Sequence, residues 1–216
     1  KAKAGRMGAK SNQDPGGTVR FLVFPMLTEI AASSRIHCFQ FAPYLEAAGV
    51  RTTFCPPSSK FLYRQCNRGP QRRLLGKAAA GLAYRIYWRI LVPLRKMIYV
   101  LLAPFYDLIF IERNIIYHCQ PPWLEMVLYK WAHLWRRKVI YFFDDPIYLD
   151  CPDCIRYLVE KADVVITVTE TLMDYASQFS ARTVMVEDAV DLDRYPLKGP
   201  EESAGDGRLV IGWVGN

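Results

Sequence analysis

Apolar residues along the chain fall into short unbroken runs, separated by amphipathic stretches of helical period. "TVRFLVFPM" (18–26) is nearly all apolar, the pattern of a strand covered on both faces. In "SSRIHCFQFAPYLEAAG" the residues Cys38, Phe41, Leu45 and Ala48 recur at helical spacing. Ser33 or Ser34 suits its N-cap and Gly49 its C-cap. Five further strands are expected in "VRTTFCPP", "YDLIFIER", "KVIYFFDD", "DVVITVTE" and "RTVMVED". Helices are expected between them, one starting at Pro93 and one near Pro122. Strands alternating with helices demand right-handed crossovers, so the expected fold is α/β, a doubly wound, Rossmann-like parallel sheet.

The same pattern suggests boundaries. Residues 1–17 are rich in Lys, Gly and Ser and read as a flexible tail. Residues 18–198 form the expected domain, and 199–207 a polar linker. "RLVIGWVGN" (208–216) reads as the opening strand and Gly turn of another unit, so the chain is expected to be part of a longer protein.

The 216 residues carry a net charge of +7. No acid occurs between Glu46 and Asp107, an interval holding eleven of the 28 Lys and Arg residues. Outside it, seventeen basic residues face twenty-one acidic ones. The basicity is therefore local and points to a local anionic partner. The longest charge-free apolar run, "MIYVLLAPFY" (97–106), is shorter than the roughly 20 residues a membrane-spanning helix needs. Six cysteines scattered through apolar elements suit a reducing compartment better than a disulfide framework.

In open parallel sheets, ligands bind outside the carboxyl ends of the strands. The loop "AASSRIH" follows the first strand, Glu112 and Arg113 end the third, and Asp144 and Asp145 end the fourth. The adjacent acids are therefore expected on the rim of a crevice. Pro146 favours an extended Asp145, so the two side chains should diverge, one toward the crevice and one toward loop backbone. The alternative is a cap plus a salt bridge to Arg113. Arg35 is expected in the first turn of its helix, where its guanidinium and the backbone N–H groups together suit an anion. Its alternative is a solvated side chain off the helix end.

Five motifs in this order, "AASSRIH" (31–37), "YDLIFIER" (106–113), "VIYFFDDPIY" (139–148), "ADVVITVTETL" (162–172) and "VDLDRYP" (190–196), resemble those of glycosyltransferases of family 4 with the GT-B fold. "LVIGWVGN" resembles the first strand and Gly loop of that fold's second domain. The resemblance implies retaining transfer of a sugar from a nucleotide-sugar donor, which is a substrate and not a cofactor. It implies no metal. The acceptor, a glycan or a lipid-linked molecule, would lie on this domain and the donor mostly on the next.

Many relatives carry His at the position of Asp144, and this chain departs from them there. The resemblance makes Asp144 the catalytic candidate. It assigns Ser33, Ser34, Arg35, Arg113 and Asp145 to the acceptor, and Glu170, Gly215 and Asn216 to the donor. Glu170 has the alternative of capping its helix. A cytoplasmic location follows, peripheral at the inner face of the membrane if the helix at 84–102 lies on anionic lipid. That helix would show Arg85, Arg89 and Lys96 near one face; the alternative is a crossover helix with a solvated basic face.

"CPDC" (151–154) has the spacing of redox or zinc sites. A redox role needs the first Cys at a helix N-terminus beside a crevice, and zinc needs two more ligands. There is no second CxxC, and His118 with Cys119 is the only other Cys/His pair, so neither reading is expected. A competing function is a non-catalytic α/β module docking on membrane or nucleic acid through the basic 60–96 segment. The aromatics there follow helical spacing, so nucleic acid is not the expected partner.

Overall fold

The computed structural model describes residues 18–60, 85–116 and 121–189. The expected tail, linker and second-domain strand lie outside the described residues, as do Gly215 and Asn216. The described chain forms an α/β domain on a six-stranded, all-parallel sheet. Its strands are β1 (Val19–Phe24), β2 (Val50–Phe54), β3 (Leu108–Glu112), β4 (Lys138–Phe143), β5 (Val164–Thr167) and β6 (Thr183–Met185), in the order β2-β1-β3-β4-β5-β6. The expected doubly wound architecture is present, with each strand a little shorter than the apolar run that announced it.

Helices α1 (Ala32–His37) and α2 (Ala42–Ala47) connect β1 to β2. Helices α3 (Val92–Leu102), α4 (Trp123–Leu134), α5 (Pro152–Lys161) and α6 (Glu170–Ser177) precede β3, β4, β5 and β6 in turn. The step from β1 to β2 runs one way across the sheet, and every later step runs the other way. Right-handed crossovers therefore put α1 and α2 on one face and α3–α6 on the opposite face. The two faces read out the period of two along each strand. Leu22, Phe24, Ile109, Ile111, Tyr141 and Phe143 join the large core beneath α3–α6. The intervening Val23, Phe110 and Phe142 join a smaller cluster with Cys38.

Three local expectations are corrected. The first helix is not continuous: α1 ends at His37, a 3-10 turn spans Phe39–Phe41, and α2 begins with Pro43 in its first turn. Proline supplies no N–H to continue the preceding helix, which accounts for the break. The N-cap is Ala31, without a side-chain bond, so neither Ser33 nor Ser34 caps. Pro93 stands in the first turn of α3, as expected. It follows a π-helical stretch, Tyr87–Leu91, that leads into α3. A widened turn accommodates a residue that cannot donate to the carbonyl four back. Gly49 ends α2 as expected, with φ at +79°.

The third correction concerns charge. Lys96 is fully buried, its Nζ donating to the Cys55 carbonyl at 2.5 Å and lying 5.3 Å from the centre of the Phe24 ring. It therefore leaves the predicted basic face. α3 instead buries Val92, Lys96 and Val100, and leaves large apolar side chains outside. Ile90, Leu94, Ile98, Leu101 and Phe105 are 50–61% exposed and recur every three or four residues. This is a continuous apolar stripe, the reverse of an ordinary amphipathic helix. Among the described residues, no helix is long and apolar enough to cross a membrane.

Candidate functional site

Strands β1, β3 and β4 are adjacent and parallel, so their carboxyl ends share one edge. Between β1 and β3 the direction of strand addition reverses, which opens a crevice there. Four segments meet at this edge: α1 after β1, the end of β3, the end of β4, and the chain after β6.

Glu112, the last residue of β3, is the hub. Its carboxylate is 1% exposed. Oε2 accepts from the Met26 backbone N–H at 2.8 Å and from Ser34 Oγ at 2.6 Å, and the Cys38 thiol lies 3.5 Å away. Oε1 lies 3.2 Å from His37 Nδ1. A buried carboxylate is costly unless its lone pairs are used, and here four groups use them. The Ser34 hydroxyl also accepts from the Leu27 N–H at 2.9 Å, so the loop after β1 is tied to β3 through one side chain.

His37 reaches outward from this hub. Its Nε2 lies 3.2 Å from Asp188 Oδ1, and its Nδ1 lies 3.7 Å from Asp144 Oδ2. Burial by itself would lower the imidazole pKa. The Glu112 hydrogen bond and the charges of Asp144, Asp188 and Glu112 outweigh it and hold the pKa above its ordinary value. Burial likewise raises the Cys38 thiol pKa, and Glu112 adds to it, so Cys38 stays a neutral donor.

Arg113 carries the second half of the site. It leaves β3 in the left-handed region, with φ at +59°, a conformation that costs a non-glycine residue roughly 1–2 kcal/mol. Its backbone N–H still donates to the Phe142 carbonyl at 2.8 Å. The guanidinium meets both acids: Nε donates to Asp144 Oδ1 at 2.6 Å, and Nη2 pairs with Asp145. Burial works against the charged guanidinium, and the two carboxylates more than restore it.

The acids therefore converge on one arginine, and neither turns to loop backbone as the divergence argument expected. They differ in access: the Asp144 side chain is 13% exposed and that of Asp145 is 58%. The salt-bridge alternative is thus part of the structure. Asp144 additionally stands between Arg113 and His37.

Beside the cluster, on the face of the sheet carrying α1 and α2, lies a cavity of about 340 Å³. Phe21, Phe54, Phe110 and Phe142 form its apolar walls, with His37 and Asp188 among the polar residues lining it. It exists because, among the described residues, this face of the sheet has only the short α1–α2 connection over it.

Of the residues predicted from sequence, Arg113, Asp144 and Asp145 come together. Ser34 joins them from beneath, as a buried donor to Glu112. Ser33 is partly exposed in the first turn of α1, and Arg35 falls in its last turn, not its first. The reason is that α1 has only six residues. Glu170 is the exposed first residue of α6, and the cap is Thr169, whose Oγ1 accepts from Leu172 N at 3.4 Å. Sequence reasoning missed His37 and Asp188, and it noted Glu112 without giving it a role. His37 closes the "AASSRIH" stretch and Asp188 ends the run "RTVMVED", so a loop or strand-end position was available as a signal for each.

The chain matches no family model, and a search of curated proteins finds no match.

Proposed function

We propose that this chain is the acceptor-binding lobe of a glycosyltransferase that moves a sugar, with retention, from a nucleotide-sugar donor to an acceptor. The supporting observation is Asp144: nearly buried, oriented by Arg113, facing His37, and set at the carboxyl edge of a parallel sheet beside a cavity. A carboxylate fixed on one oxygen by a guanidinium leaves the other for a sugar hydroxyl. Asp145, Arg113, Ser33 and Arg35 stand on the acceptor side. Glu170, Gly215 and Asn216 are assigned to the donor by the motif resemblance alone.

The aromatic cavity favours a lipid-linked acceptor over a bare glycan. Sugar hydroxyls buried against phenyl rings would be left unsatisfied, whereas an apolar chain gains by that burial. The exposed stripe on α3 supports the same choice. Apolar side chains flanked by the exposed Arg85 and Arg89 suit an anionic bilayer better than nucleic acid. On this reading the protein works as a peripheral protein at the cytoplasmic face of a membrane.

The test is transfer from a panel of radiolabelled nucleotide sugars into a membrane lipid extract, using the full-length protein. Asp144→Asn should reduce transfer about a hundredfold or more. Unchanged turnover in that variant would remove Asp144 from the site. No consumption of any donor, together with oligonucleotide or vesicle binding, would favour the non-catalytic docking module.

A further inference from the structure

The loop that leaves Asp145 runs into two cysteines at the start of α5. Cys151 is the N-cap residue of this ten-residue helix, outside helical conformation, and Cys154 lies in its first turn. Three positions apart across the first turn, the two thiols are close enough to interact electrostatically. Both residues are partly exposed, whereas Cys38 and Cys55 are buried. Of the condition stated above, the helix N-terminus is present at Cys151, which does not line the cavity. Two accessible cysteines one helical turn apart have Cα atoms within the span that a disulfide bridges.

We propose that Cys151 and Cys154 form a reversible intramolecular disulfide by exchange with a low-molecular-weight disulfide. Burial first, then the neighbouring Cys151 thiol and the Asp153 charge, push the Cys154 thiol up to about 12. Cys151, on the N-cap and outside the helix, is the attacking sulfur, and Cys154 is the resolving one. In the first step the Cys151 thiolate breaks the sulfur–sulfur bond of glutathione disulfide. A mixed disulfide forms on Cys151 and one glutathione thiolate leaves. In the second, Cys154 gives up its proton and attacks the Cys151 sulfur, expelling the second glutathione. Two protein thiols are oxidised by two electrons, glutathione disulfide is reduced to two thiols, and the two protons end on them.

The pair is wired to the candidate site. The Cys151 N–H donates to the Ile147 carbonyl at 3.2 Å, and the Ile147 N–H donates to the Asp145 carbonyl at 2.7 Å. Closing the disulfide tightens the segment that carries the partner of Arg113.

The test equilibrates the full chain, without oxygen, in glutathione buffers from fully reduced to fully oxidised. Acid quenching, alkylation and peptide mass mapping follow. The expected result is concerted loss of alkylation at Cys151 and Cys154, with a peptide lighter by two hydrogens and a two-electron transition. In Cys154→Ser, a glutathione adduct should accumulate on Cys151. Both thiols still alkylated in the fully oxidised buffer, or stable glutathione adducts on the wild type in place of the internal bond, would overturn the proposal. An adduct-free Cys151 in Cys154→Ser would overturn the order of attack. The wild-type measurement needs no variant to fold.

Discussion

Nδ1 of His37 lies 3.2 Å from Oε1 of Glu112, with the imidazole side chain 6% exposed and the carboxylate 1%. The pair joins the helix after β1 to the tip of β3 and holds the crevice between them in one shape. Because the His37 pKa is raised in the fold, the folded state binds its proton more tightly than the unfolded chain does. That stabilisation is complete below the unfolded value of about 6.5 and is lost as pH rises through the raised folded value. Urea midpoints should therefore fall as pH climbs from about 6.5 toward the folded value, and His37→Gln should flatten the fall. Glu112→Ala should cost about 3 kcal/mol or more, since it strands several buried donors at once. A cost within about 0.5 kcal/mol would contradict the hub assignment.

Arg113 combines backbone strain with a double ion pair, and two substitutions separate them. Arg113→Ala and Arg113→Gly both remove the guanidinium from Asp144 and Asp145. Only glycine relieves the backbone at φ +59°. The glycine variant should be the more stable of the two by about 1 kcal/mol. Equal chemical-denaturation midpoints would show that the left-handed turn relaxes when the ion pairs are gone.

Lys96 gives the opposite pH dependence to His37. Burial lowers its pKa from 10.5 to about 8. Between those values the unfolded chain keeps the proton that the folded protein has released, so stability should rise with pH in that window. The rise is on the order of 3 kcal/mol, one pKa unit being worth about 1.4 kcal/mol. Lys96→Met should abolish this rise and be neutral or stabilising near pH 7, because it removes a buried charge while keeping the volume. A marked loss of stability in Lys96→Met would mean that the bond to the Cys55 carbonyl outweighs the desolvation.

The stripe on α3 predicts a two-part lipid response. Leu94→Glu with Ile98→Glu should reduce sedimentation with anionic vesicles at any ionic strength, since both side chains are at least half exposed. Arg89→Ala should weaken binding mainly at low salt, where surface charge is least screened. Vesicle binding unaffected by the double variant would move the contact elsewhere.

The candidate site was half legible before the structure. Asp144, Asp145 and Arg113 could be placed on one rim because each ends a strand that the apolar runs announce. Glu112 sits beside them, but nothing local says that the β1 loop would fold back to give it Met26, Ser34 and His37. Asp188 meets His37 across 151 positions of sequence, a contact with no local trace. A lysine at helical spacing usually lies at the surface, and only the packing of α3 against β1 and the end of β2 buries Lys96.

By itself the sequence determined the alternation of strands and helices, the all-parallel sheet and the edge on which polar chemistry collects. These depend on period and chain connectivity, which are local and written residue by residue. Only the tertiary structure decided which face of α3 is buried, which acids share Arg113, and that His37 meets Asp188. Those outcomes depend on strand order and helix rotation, which bring together residues that no periodicity relates.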